Sequence, residues 1–206
     1  MVKKINTMRR KLWILAFITI LIWSGINPHD YFTWFLEVLP ALIGVIVLWK
    51  TEKSFPLTEL SYNLILIHAI ILMVGGHYTY AEVPLFDAIK DIFNLSRNNY
   101  DKLGHFAQGF VPAILAREIF IRKNVVNAKG WENFLVVTFC LGFSAFYELV
   151  EWVVALSSGE SAEAFLGTQG YVWDTQSDMG LAVVGAIIAL LTLSKIHDKQ
   201  LDKLQH

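Results

Sequence analysis

The chain has 206 residues, of which 55% are apolar and only 17% charged, with a formal net charge of −1. Soluble domains carry about 25% charged residues, and here the apolar residues come in long runs separated by short charged stretches, which is the pattern of a polytopic membrane protein. The near-neutral charge argues against a nucleic-acid partner, and the single cysteine, Cys140, excludes an intrachain disulfide and a cysteine-rich zinc site.

The first apolar run follows Lys3, Lys4, Arg9, Arg10 and Lys11. That basic flank resembles a signal peptide, but the run ends in Ser24-Gly25-Ile26-Asn27-Pro28 without the small-residue pair a cleavage site needs. It is expected to stay as a first span, with cleavage as the alternative. The spans expected in chain order are Leu12–Ile26, Phe32–Trp49, Leu60–Gly75, Leu103–Ile121, Phe134–Leu156 and Met179–Leu193. The expected fold is therefore all-α: a six-helix transmembrane bundle forming a single integral-membrane domain over residues 1–206, with the lipid bilayer as its first partner.

Of the 17 lysines and arginines, 14 fall at the N-terminus, between spans two and three, between spans four and five, and in the tail. The remaining three, Lys90, Arg97 and Lys102, lie on the other side. Positive charge is retained in the cytoplasm, so both termini are expected inside. The loops Gly76–Lys102 and Ser157–Ser177 then face outward. The first contains PLFDAIKDIFNL, in which Leu85, Phe86, Ile89, Ile92 and Phe93 recur at helical spacing opposite Asp87, Lys90 and Asp91. This predicts a short helix lying on the outer membrane surface or packed as a lid on the bundle.

The polar residues inside the spans gather near that outer side. Asp101, His105 and Gln108 are spaced four and three apart at the outer end of span four, so they share one helix face. Lys102 sits beside them. Glu148 and Glu151, three apart, lie near the outer end of span five, and Asp174, Gln176 and Asp178 lead into span six. A carboxylate facing lipid costs at least ~2.5–3.5 kcal/mol, so these groups are expected to face each other across a hydrated cavity. There, His105, Glu148, Glu151 and Asp178 are candidate catalytic acids and bases. His105, Glu148 and Asp178 are candidate ligands for a divalent metal ion of the harder kind. Asp101, Lys102, Gln108, Asp174 and Gln176 are candidate substrate contacts.

Each group also has a plainer role open to it. Asp101 and Asp174 suit helix starts, Lys102 can snorkel, and the glutamates can bond between helices. Arg117 and Glu118 suit an ion pair near the cytoplasmic face. His68, alone in LILIHAIIL, suits a packed residue, and Trp34, Tyr100, Trp152 and Trp173 suit interface anchors. Gly180, Gly185, Ala182, Ala186 and Ala189 offer a small-residue surface for close helix approach.

The runs YDKLGHFAQGFVPAILARE, FSAFYELVEW and FLGTQGYVWDTQSDMGLAVVGA together resemble the YjdF-type family of uncharacterised bacterial inner-membrane proteins. DKLGHF, with a later acid entering a Gly/Ala-rich span, also resembles the VanZ-like membrane proteins. The first resemblance implies a location in the bacterial plasma membrane, and neither assigns catalytic residues. Three functions remain open on these residues: a membrane enzyme acting on a lipid-linked or envelope substrate, a small transporter, and a non-catalytic envelope or assembly protein.

Overall fold

The computed structural model describes residues 7–126, 128, 130–158 and 168–205. The described residues form seven helices and no strand: α1 Thr7–Ser24, α2 Tyr31–Thr51, α3 Glu59–His77, α4 Pro84–Phe93, α5 Tyr100–Arg122, α6 Trp131–Ser158 and α7 Asp174–Gln205. Five of the six expected spans lie wholly within helices, and the first overruns the end of α1 by Gly25 and Ile26. Four helices, α2, α3, α6 and α7, are long and apolar enough to cross a membrane. The first turns of α1 carry Arg9, Arg10 and Lys11, and α5 carries charged residues at both ends, Asp101 and Lys102 at one and Arg117, Glu118 and Arg122 at the other.

Local chemistry sets several boundaries. Asp30 caps α2 by accepting from the Thr33 amide at 2.7 Å. That bond holds the Asp30 carboxyl below its ordinary pKa. Thr58 caps α3 in the same way through Ser61. Pro84 occupies the first turn of α4, where its missing N–H costs nothing, and Asn94 ends the helix in the left-handed region at φ 49°. The apolar face of α4 divides: Phe86 meets the Tyr100 ring edge-on at 5.1 Å, while Leu85, Ile92 and Phe93 stay exposed.

The helices form two groups of three joined along α3 and α5. In the first, α1 and α2 pack on α3 around Phe17, Val38, Ala41, Ala69 and Met73. In the second, α5, α6 and α7 pack around Val111, Ala113, Ile114, Val136, Cys140, Ala186 and Ala189. The tightest contact joins α5 to α7. A Cβ on Gly109 would lie 1.7 Å from the Ala182 carbonyl oxygen, and one on Gly185 would lie 2.2 Å from the Phe106 carbonyl oxygen. These reciprocal glycines let two backbones touch, as small residues do inside membranes. The expected Gly180 contact is absent, since a Cβ there would meet nothing within 4 Å.

A buried polar cluster ties the end of the bundle at which α5 finishes. The Glu118 carboxylate, fully buried, accepts from the Thr58 amide and hydroxyl (both 2.9 Å), the Ser61 hydroxyl (2.6 Å), Arg122 (2.8 Å) and His197 (3.2 Å). Arg117 instead reaches Asp198 at 2.6 Å, Glu132 at 3.1 Å and His197 Nδ1 at 3.1 Å. The expected Arg117–Glu118 pair does not form. Consecutive residues on a helix point about 100° apart, so the two head for different neighbours.

Two of the expected interface anchors are packing residues. The Trp34 indole donates to the Ser24 hydroxyl, and the buried Tyr100 donates its hydroxyl to the Ile71 carbonyl. Trp152 and Trp173 remain exposed.

Candidate functional site

At the end of the bundle that holds the α5 N-terminus, the polar residues of α5, α6 and α7 converge. Asp101, His105 and Gln108 share one face of α5, as their spacing requires, and all three are buried. His105 lies at the centre. Its Nε2 is 3.2 Å from Asp101 Oδ1 and 3.9 Å from Asp178 Oδ2. Its Nδ1 is 3.2 Å from Gln108 Oε1 and 3.7 Å from Glu148 Oε1. Both ring nitrogens therefore face oxygens. Such a cage can hold an imidazolium, or a neutral ring beside a cation.

The α7 side is a lattice of ion pairs. Lys102 Nζ donates to Asp174 at 2.8 Å, Asp178 at 2.7 Å and the Ser177 hydroxyl at 2.7 Å. Arg97 donates to the same Asp174 oxygen at 2.6 Å and lies 3.5 Å from Asp101 Oδ2. Two acids of α7 and one of α5 are thus balanced by two fixed cations. Such pairing is the condition for burying them. Asp174 begins α7, and its side chain accepts from Arg97 and Lys102.

Asp101, His105 and Asp178 offer ligand atoms that all lie within 4.8 Å of one another, close enough to hold a metal ion. Glu148, expected as a ligand, approaches the other ring nitrogen, so the trio at Nε2 has Asp101 in its place. Gln176 does not join the cluster. It is exposed, being two residues from both Asp174 and Asp178, which turns it to the opposite face. Arg97 and Ser177 do join: Ser177 lies three residues after Asp174 on the same helix, a spacing the sequence shows, whereas Arg97 precedes α5 and has no such signal.

His105 also borders a cavity of about 670 Å³. Glu37, Tyr80, Asp101, Gln108, Tyr147 and Glu151 surround the polar end. The cavity continues along α5 past His68, Val111, Pro112 and Ile119 to Lys123. It is a groove: α3 and α5 form its floor, α2 stands against α3 on one side, and α6 stands against α5 on the other. Glu37, on α2, thereby reaches the same end as the α5 and α6 acids. His77 stays apart, with Nδ1 2.9 Å from the Ser24 carbonyl oxygen.

Comparison with known proteins places these residues in a family. Residues 9–199 match the model for the family described as "Predicted membrane protein (DUF2238)". This chain belongs to that family. It is 51% identical over 187 residues to the inner membrane protein YjdF of Escherichia coli (strain K12), covering 91% of this chain and 90% of that protein. No solved structure matches the chain. The matches support the YjdF-type resemblance and not the VanZ-like one. Within this DUF2238 membrane protein, the matched segment contains every residue that builds the His105 cluster.

Proposed function

We propose that this protein is a six-span bacterial inner-membrane enzyme, with both termini cytoplasmic, acting on a lipid-linked or envelope substrate at the outer leaflet. The observation that carries the reading is the placement of His105. One edge of its ring meets Asp101 and Asp178, the other meets Gln108 and Glu148, and the ring, with Asp101 and Gln108, borders the polar end of a groove. A proton carrier held in a low-dielectric site, with both nitrogens oriented, is what general acid–base catalysis requires.

In this reading His105 passes a proton to or from the substrate. Asp101 and Asp178 orient the ring and steady its charge, and Lys102 keeps Asp178 in place. Glu148 and Glu151 are the further acids on α6. A divalent cation on Asp101, His105 and Asp178 is the alternative use of the same atoms, and would act as a Lewis acid. The six-span count is supported by α5, whose charged groups turn into other helices, where a membrane tolerates them. The exposed Leu85, Ile92 and Phe93 of α4 suit a helix resting on the outer interface.

The groove also favours a second reading, a carrier, because it runs along nearly the whole of α5. Its middle, however, offers His68 between apolar walls, a sparse path for an ion. Lipid extracts distinguish enzyme from carrier and from assembly factor. In a strain deleted for the gene, one lipid species is expected to accumulate and its product to vanish. The native chain restores the pattern, and His105→Gln, present at equal level in the membrane, does not. A His105→Gln extract indistinguishable from that of the native chain would remove the enzyme reading.

A further inference from the structure

We propose that the groove between α2 and α6 binds one chain of a lipid whose headgroup presents a primary ammonium, seated beside His105. The proposal deepens the enzyme reading by naming the substrate class, and rests on it only for the role of His105.

The shape comes first. From Asp101 to Lys123 the floor follows about 33 Å of helix rise, close to the ~30 Å hydrocarbon thickness of a bilayer. Its middle is walled by Ile65, Leu72, Val111, Leu115 and Ile119, and it narrows to no polar group but His68 until Thr51, Ser54 and Lys123. An extended hydrocarbon chain fits such a trough, and a polar solute does not.

Charge decides the head. The groove's polar end carries three buried carboxyl groups, Glu37, Asp101 and Glu151. The two fixed cations of the site do not line it and spend their hydrogen bonds elsewhere: Lys102 on Asp174, Ser177 and Asp178, and Arg97 on Asp174 and the Thr168 carbonyl, with Asp101 Oδ2 at the longer distances of 3.9 and 3.5 Å. Asp101 is about nine-tenths buried and lines the groove, yet its Oδ2 accepts no hydrogen bond among the described residues. Carboxyl groups placed this way attract an ammonium with several N–H donors and repel a bare phosphate. A quaternary ammonium, having no N–H, satisfies them less well.

The groove can be blocked without disturbing the bundle. Gly44 lines it, and a Cβ there would meet nothing within 4 Å. Gly142 on α6 is equally open but lies outside the groove, so it serves as the control.

The test is native mass spectrometry of the full chain in detergent with EDTA, titrated separately with dioleoyl phosphatidylethanolamine, phosphatidylcholine and phosphatidylglycerol. One phosphatidylethanolamine is expected to stay bound with about tenfold preference over the other two, the ratio that one charge-assisted hydrogen bond supplies. Gly44→Leu and Gly44→Phe lose the bound lipid, while Gly142→Phe keeps it. Glu37→Gln with Glu151→Gln keeps a lipid but binds the three nearly equally. Equal retention of the three lipids by the native chain, or retention unchanged in both Gly44 variants, overturns the proposal. Since binding is read without turnover, this outcome is independent of the lipid extracts of His105→Gln.

Discussion

Gly109→Ala is expected to destabilise the folded protein by about 3 kcal/mol or more, the upper range for overpacking a close contact. The added Cβ would stand 1.7 Å from the Ala182 carbonyl oxygen and 2.4 Å from its carbon. Both belong to backbone, so no side-chain rotation relieves the clash and α5 must move away from α7. Gly185→Ala meets the Phe106 carbonyl oxygen at 2.2 Å and should cost a similar amount. The pair is expected to be less than additive, because either change alone opens the same contact. Gly180→Ala supplies the contrast: its Cβ enters open space and removes a helix-weakening glycine, so it should be neutral or stabilising by up to ~1 kcal/mol. Thermal unfolding in detergent, followed by circular dichroism, measures all four. A Gly109→Ala protein as stable as Gly180→Ala would contradict the α5–α7 contact.

Glu118→Leu is expected to cost about 3–5 kcal/mol, the penalty for removing one partner from a buried ionic cluster. The Glu118 carboxylate serves the N-cap of α3, Arg122 on α5 and His197 on α7. Without it, the Thr58 amide and the fully buried His197 lose acceptors, and three elements lose their common tie. Glu118→Gln keeps the shape and some of the bonds, so its cost should be smaller. Replacing both Glu118 and His197 with leucine should cost less than the two single losses combined, because the unpaired imidazole is gone as well. The same unfolding assay reads these variants. Equal stability of Glu118→Leu and the native chain would show that the cluster does not hold that end of the bundle together.

The helices were legible in the sequence because apolar runs of span length have few other solutions in lipid. Boundaries were less so. The last span was expected to start at Met179, yet α7 starts at Asp174, because its first charged turn is neutralised by Arg97 and Lys102 from elsewhere in the chain. The convergence on His105 followed from three- and four-residue spacings, which fix a helix face whatever the neighbours are. Gln176 was misplaced for the same reason: proximity in sequence to Asp174 and Asp178 is not proximity on the helix. Arg97 lies before α5 begins, and its place in the site depends on where α7 docks, which no local pattern encodes. The groove depends on how far apart α2 and α6 stand on their floor, a tertiary distance with no signature in either helix.

Everything functional rests on the His105 end of the bundle opening to the outer aqueous phase. Gln176→Cys measures this most directly, since Gln176 is exposed at that end and outside the ion pairs, and the native Cys140 is fully buried. In intact spheroplasts, a membrane-impermeant maleimide is expected to label Gln176→Cys at once. Lys199→Cys, near the other end of α7, should be labelled only after the membrane is permeabilised. Labelling of Lys199→Cys but not Gln176→Cys in sealed spheroplasts would place the cluster on the cytoplasmic side and contradict the account.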